Sequence, residues 1–200
     1  MNASSSDLAI VILAAGQSKR MGEPKAFIKI EGQTLLDRTI SNANATKART
    51  IYLVTGAYHE QMIGIAQNQK LEVIYNNNWQ EGMASSLRKA IEIIGQIPQI
   101  QGVLVLLIDQ PFVDAPLLKK LIDGFNENPS QPIASFYKNV NGVPAIFPRS
   151  MWKDLLELKG DKGARQLLNQ REDVVSIPFE NGAIDLDFPT DFEQLKRAGY

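Results

Sequence analysis

Residues able to hold and neutralise phosphate are concentrated in one stretch, Gly16-Gln17-Ser18-Lys19-Arg20-Met21-Gly22-Glu23-Pro24-Lys25. Glycines let a backbone turn sharply and bring its N–H groups close to an anion, and Lys19, Arg20 and Lys25 set up to three cations around that backbone. The combination is the chemistry of a phosphate cradle. It is not a Walker loop, because five residues rather than four separate Gly16 from Gly22 and Glu23 follows. Nor does Gly16-Gln17-Ser18 supply the Gly-x-Gly-x-x-Gly of a dinucleotide turn. Without a ligand the stretch reads as a glycine turn with solvated lysines.

Oxygen ligands for a hard cation stand further along. Asp109 follows the apolar run 103–108, and a carboxylate at the carboxyl end of a buried parallel strand lies where open α/β sheets bind ligands and suits Mg²⁺. The alternative is a cap on the helix beginning near Ala115. Asp185 and Asp187 project to one side if their segment is extended, while Asp191 falls at a helix start; the alternative is an acidic cluster at a helix N-terminus. Residues 76–86, with three asparagines, Gly82, Ser85 and Ser86, place neutral hydrogen-bonding groups at a helix N-terminus, either for an anion or as a simple serine cap. By residue type, Asp161 reads as the cap of a short helix with Lys162 and Arg165 in solvent. Gly142-Val143-Pro144 reads by residue type as a glycine turn before a strand.

The chemistry available is narrow. The chain has no cysteine, so disulfides, thiolate metal sites and a cysteine nucleophile are excluded, and any metal is held by oxygen. Its one histidine, His59, stands outside the loops above and reads as a surface or capping residue, which argues against a histidine triad. With net charge −1 over 200 residues there is no global positive field for nucleic acid or an anionic membrane. The polar start of the chain lacks the basic and apolar regions of a signal peptide, and no apolar run approaches the roughly 20 residues of a membrane span. A cytoplasmic protein is expected.

These side chains need a scaffold that brings distant loops together. The run 8–13 is apolar without interruption, as is 103–108, and both suit strands buried on two faces of a parallel sheet. Further strands are expected over 51–55, 71–75 and 174–177, with helices over 34–45, 59–69, 85–94, 117–125, 151–158 and 164–169. Strand–helix alternation argues for a parallel sheet covered by helices, with the loops after the first, third and strongest strands emerging at one edge. Strands over 133–137 and 143–147, joined through Asn139 to Gly142, predict a hairpin and a late antiparallel addition. With 44% hydrophobic residues the chain is read as one domain over 1–200, residues 1–7 forming a flexible lead-in.

The motif LAAGxSxRMGxxK, placed after an N-terminal strand, resembles the signature loop of the nucleoside triphosphate transferase superfamily, and the fit is nearest its molybdenum cofactor cytidylyltransferase branch. The segments NxxWxxGMxxS, DQP, GxP, Gly160-Asp161-Lys162-Gly163-Ala164-Arg165 and Asp185-Leu186-Asp187-Phe188-Pro189 resemble corresponding parts of that branch, the last departing from DIDTPED at Leu186, Phe188 and Thr190. The resemblance implies a Rossmann-like three-layer α/β/α sandwich with a mostly parallel central sheet. It implies nucleotide binding by Leu13, Ala14, Ala15, Gly16, Arg20, Gly22, Lys25, Asn77, Gly82, Ser86 and Asp109, with Arg20, Lys25 and Asp109 catalytic. Asp109 and Asp187, supported or replaced by Asp185, would hold Mg²⁺, and Gly142, Pro144, Lys162 and Arg165 would meet the acceptor. The implied reaction moves CMP from CTP to the phosphate of molybdopterin, with a molybdoenzyme as recipient. Alternatives are a cytidylyltransferase for a sugar or polyol phosphate and a non-catalytic nucleotide- or cofactor-binding accessory protein. Ala15 stands where guanylyl members commonly carry glycine, so the resemblance favours CTP over GTP.

Overall fold

A computed structural model describes residues 7–18, 21–46, 48–67, 69–160, 164–186, 188 and 190–191. The run expected over 8–13 forms β1 (Leu8–Ala14), every residue of which is buried. Its alternate residues face two different cores: Leu8, Ile10, Ile12 and Ala14 join one, and Ala9, Val11 and Leu13 the other. That is why the stretch carries no polar residue.

On one side of β1 lie β4 (Thr50–Thr55) and then β5 (Glu72–Tyr75), and on the other β6 (Gly102–Leu107), all parallel. Beyond β6 come β8 (Val140–Pro148), β7 (Ile133–Tyr137) and β9 (Val175–Pro178), giving a seven-stranded order β5-β4-β1-β6-β8-β7-β9. β6 is the middle strand, as its composition requires. β8 runs antiparallel to both β6 and β7, and β7 is parallel to β9, so one strand of seven is reversed. A two-residue pair, β2 (Lys29–Ile30) with β3 (Gln33–Thr34), stands apart from this sheet.

Helices cover both faces. One core contains buried residues of α1 (Leu35–Ala45), α2 (His59–Ala66) and α4 (Ala115–Glu127). The opposite core contains those of α3 (Met83–Ile94), α5 (Trp152–Leu156) and α6 (Arg165–Asn169). The architecture is the expected three-layer Rossmann-like sandwich. No helix among the described residues is long and apolar enough to cross a membrane.

Caps set several boundaries. Thr34 Oγ1 accepts from the Asp37 N–H at 3.0 Å to start α1, and an Asp114 carboxylate oxygen accepts from the Leu117 N–H at 2.9 Å to start α4. α3 begins at Met83, two residues earlier than expected, because Gly82 at φ 115° ends the preceding turn and makes no side-chain cap. Ser85 and Ser86 are therefore inside the helix. The late hairpin also differs from expectation: its turn is Lys138-Asn139, both at positive φ (48° and 59°), and Asn141 and Gly142 already belong to β8 opposite Phe136 and Ser135. A two-residue turn with both φ positive matches the twist of paired strands, and the additional length is taken up where the register shifts between Ala134 and Ser135.

Candidate functional site

The register puts the carboxyl ends of four parallel strands side by side. Ala14 of β1 pairs with Thr55 of β4, Leu13 with Leu107 of β6, and Thr55 with Tyr75 of β5. The segments leaving these strands enclose a cleft of about 450 Å³, within the usual range for a small-molecule site. From the first strand's exit come Leu13 to Ser18, followed by Pro24, Lys25 and Ala26; from the loop before α3 come Trp79, Gln80, Gly82, Met83 and Ser86; from β6 come Leu107, Ile108 and Asp109.

Of the residues expected at a nucleotide, Leu13, Ala14, Ala15, Gly16, Lys25, Gly82, Ser86 and Asp109 line this one cleft. Gly22 and Asn77 do not. Gly22 adopts φ 76°, a left-handed conformation that glycine takes without penalty, and so bends the loop without lining the cleft. Asn77 is exposed, and its neighbour Asn76 is buried instead, its side-chain amide donating to Ser85 Oγ (2.8 Å) and Ser86 Oγ (3.0 Å) while its carbonyl oxygen accepts from the Asn78 N–H (3.0 Å). Asn76 thus holds the loop against α3. Arg20, Lys162 and Asp187 lie outside the described residues.

Lys25 and Asp109, 84 positions apart, meet at the cleft. Lys25 Nζ donates to Asp109 Oδ2 at 3.0 Å, and the loop is closed behind the lysine by its backbone N–H donating to Ser18 Oγ at 3.2 Å. Asp109 Oδ1 is buried and has no hydrogen-bond partner among the described residues. Asp109 makes no helix cap, since Asp114 fills that place. An orphaned, buried carboxylate oxygen at the mouth of a cleft, in a chain without cysteine, fits a hard divalent cation. The Leu186 N–H donates to the Asp109 carbonyl at 3.0 Å, which brings the exposed Asp185 segment alongside. Among the described residues, no three histidines, cysteines or carboxylates gather as a metal cluster.

Of the acceptor candidates, Gly142 and Arg165 meet Tyr137. Gly142 and Pro144 are buried and do not line the cleft. A Cβ on Gly142 would collide with the Tyr137 phenol, whose hydroxyl donates to the Val143 carbonyl at 3.2 Å. Arg165 lies 5.8 Å above the Tyr137 ring. Burial pushes the Tyr137 pKa above its usual value, against a lowering by Arg165 and with a smaller raising effect from Asp185. Gln110 joins the two regions: its Nε2 donates to the Val143 carbonyl at 3.1 Å and the Gly182 carbonyl at 3.3 Å.

Sequence reasoning did not find Tyr58 and Met62, which also line the cleft, nor the Tyr58 hydroxyl that donates to the Gln17 carbonyl at 2.9 Å. They belong to the start of α2, whose position against the glycine loop has no local signal. His59 begins α2, its Nδ1 2.7 Å from Thr55 Oγ1 and its ring 4.4 Å from that of Tyr75, away from the cleft lining.

A glycine loop, a lysine and a carboxylate stand together at the carboxyl edge of a doubly covered sheet, the edge where open α/β proteins bind ligands. The MobA-like NTP transferase domain model matches residues 10–174, and the chain belongs to that family. The bifunctional protein GlmU of Francisella tularensis subsp. novicida is 26% identical over 169 residues, which cover 84% of this chain and 36% of that protein. The chain therefore spans about a third of that relative's length. Rv0371c of Mycobacterium tuberculosis H37Rv superposes with a TM-score of 0.83 at 25% identity, over 97% of this chain and 100% of that one. The same protein in complex with manganese superposes at 0.80 and 24% identity, over 96% and 100%. The 4-diphosphocytidyl-2C-methyl-D-erythritol synthase of Anaerococcus prevotii shares the fold at 0.76 and 17% identity, over 97% and 96%.

Proposed function

We propose that the chain is a metal-dependent cytidylyltransferase that joins CMP from CTP to the phosphate of a small acceptor. An acceptor phosphate oxygen attacks the α-phosphorus, the bond from that phosphorus to the β-phosphate oxygen breaks, and pyrophosphate leaves. No protein nucleophile is needed, so catalysis consists of positioning and charge stabilisation. The observation that carries the reading is the Lys25–Asp109 contact at the head of a glycine loop, a cation and a hard oxygen ligand within 3.0 Å of one another at the cleft.

In this reading Gly16 and Gly22 shape the loop, Arg20 holds the leaving β- and γ-phosphates, and Lys25 neutralises charge growing at the α-phosphate. Leu13, Ala14 and Ala15, with Gly82 and Ser86 opposite, enclose the base. Asp109, with Asp187 or Asp185, would hold Mg²⁺, which when bound supplies charge stabilisation to the phosphoryl oxygens. The manganese complex of Rv0371c supports a divalent ion in this fold. Gly142 and Pro144 shape the acceptor wall through Tyr137, with Lys162 and Arg165 facing the acceptor phosphate.

For the acceptor, a sugar or polyol phosphate is the leading reading, supported by the cytidylyl product named for the Anaerococcus neighbour. Molybdopterin phosphate is the second reading, motivated by the segment from Gly160 to Arg165 and by the MobA-like family match, with a molybdoenzyme as recipient. The deciding experiment supplies CTP or GTP, Mg²⁺ and one acceptor at a time, and follows pyrophosphate together with the mass of the conjugate. Pyrophosphate released only with a polyol or sugar phosphate supports the first acceptor, and only with molybdopterin the second. Nucleotide binding without pyrophosphate from any acceptor would leave an accessory binding protein and refute catalysis.

A further inference from the structure

Lys25 is engaged with Asp109. Its Nζ stands 3.0 Å from Asp109 Oδ2, with the two side chains only 12% and 24% exposed. The loop that carries it is tied at both ends, by the Lys25 N–H on Ser18 Oγ and by the Tyr58 hydroxyl on the Gln17 carbonyl. The aspartate is equally constrained, since its carbonyl accepts the Leu186 N–H. One carboxylate oxygen thus bears an ammonium while the other is buried and has no partner among the described residues; a divalent cation held by this carboxylate would take that second oxygen. Two cations on the two oxygens of one carboxylate repel strongly where water is scarce. A polyphosphate relieves that repulsion by sharing the ammonium.

We propose that Lys25 acts as the resident counter-ion of Asp109, so that the free protein holds a divalent cation weakly and nucleotide phosphates, by drawing the lysine's charge toward themselves, make the carboxylate available. Metal and nucleotide then bind with positive coupling, and by linkage each strengthens the other equally. The free site avoids filling with metal alone. This rests on the reading of the cleft as a nucleotide site, but its central claim concerns the protein without nucleotide.

The test measures Mn²⁺ binding alone, by the loss of the free-ion electron paramagnetic resonance signal, in the parent, Lys25→Met, Lys25→Gln and the double variant Lys25→Met/Asp109→Asn. Both single lysine variants should bind Mn²⁺ at least about tenfold more tightly than the parent, and the double variant should lose that gain. Adding a non-hydrolysable CTP analogue should tighten Mn²⁺ binding by a larger factor in the parent than in either lysine variant. Thermal melting identifies which variants are folded, and two different replacements guard against one that is not. Mn²⁺ affinity in Lys25→Met and Lys25→Gln no higher than in the parent would overturn the proposal. Because no turnover is required, tighter Mn²⁺ binding in a protein that transfers no CMP keeps the counter-ion and removes only the proposed reaction.

Discussion

Gly56, the residue after β4, tests whether the cleft depends on a close approach of three segments. A Cβ built there would stand 2.6 Å from the Ala15 carbonyl oxygen and 2.7 Å from both Cβ and Cγ of Trp79. These are a backbone atom at the entry of the glycine loop and the root of a side chain, and neither yields by a rotamer change. The Ala15 carbonyl also accepts the Ala57 N–H at 3.1 Å, which ties the two strand exits together. In Gly56→Ala the methyl must therefore push Trp79 off the cleft wall or part β1 from β4 at their ends. Overpacking of this kind costs about 1 to 3 kcal/mol, which for a chain of this size lowers Tm by about 2 to 12 °C. The assay pairs thermal melting with titration of a CTP analogue followed by tryptophan emission. Trp79 lines the cleft, whereas Trp152 is 5% exposed and does not line it, so the titration signal belongs to Trp79. Gly16→Ala is the control: no atom lies within 4 Å of its new Cβ, so Tm should hold while the methyl, added to a cleft-lining residue, weakens nucleotide binding. A Gly56→Ala protein that melts within about 1 °C of the parent and binds nucleotide as tightly would refute the reasoning.

Asp109→Asn keeps the side chain's shape but removes its charge, and turnover should fall about a hundredfold or more at saturating Mg²⁺, while near-normal turnover would remove Asp109 from the metal. Lys25→Ala should lower kcat more than it raises the nucleotide KM, by roughly 3 kcal/mol in the transition state; a pure KM effect would make it a uniform binding residue. Ala15, 6% exposed on the cleft wall, takes space that a purine could use, so CTP should be preferred over GTP about tenfold, equivalent to about 1.4 kcal/mol, and Ala15→Gly should narrow the ratio of kcat/KM values. Burial raises the pKa of Tyr52 and Tyr137 above the usual 10.0. The unfolded chain then releases those protons first, so their contribution is present below pH 10 and is lost as pH rises through the higher folded values. Melting temperature should therefore decline above about pH 10, and less steeply in Tyr137→Phe; equal slopes would assign the decline to other groups.

The parts of the site legible in the sequence were those whose chemistry is local. Gly16, Lys25 and Asp109, which line the cleft, each stand where an apolar strand stops or where a loop turns basic. The pairing of Asp185 with Asp187 rested on period-two alternation, and the contact that brings this segment to Asp109, the Leu186 N–H on the Asp109 carbonyl, has no local signal. The choice between Asn76 and Asn77 was not legible, because which of two adjacent polar residues turns inward depends on whether Ser85 and Ser86 wait there to receive it. Likewise Gly142 reads locally as a turn residue, but it lies inside β8, where its missing side chain makes room for the Tyr137 ring.

Strand identity, the two-sided burial of β1 and the central place of β6 follow from runs of apolar residues, because only a strand covered on both faces can conceal every one of them. Contacts between segments far apart in the chain follow from no such run. The insertion of the reversed β8 between β6 and β7, the seating of Tyr58 on the glycine loop, and the 3.0 Å meeting of Lys25 with Asp109 arise when separate elements settle against a common sheet. A residue's type records what it can bond to; which partner lies within reach is a property of the packed chain.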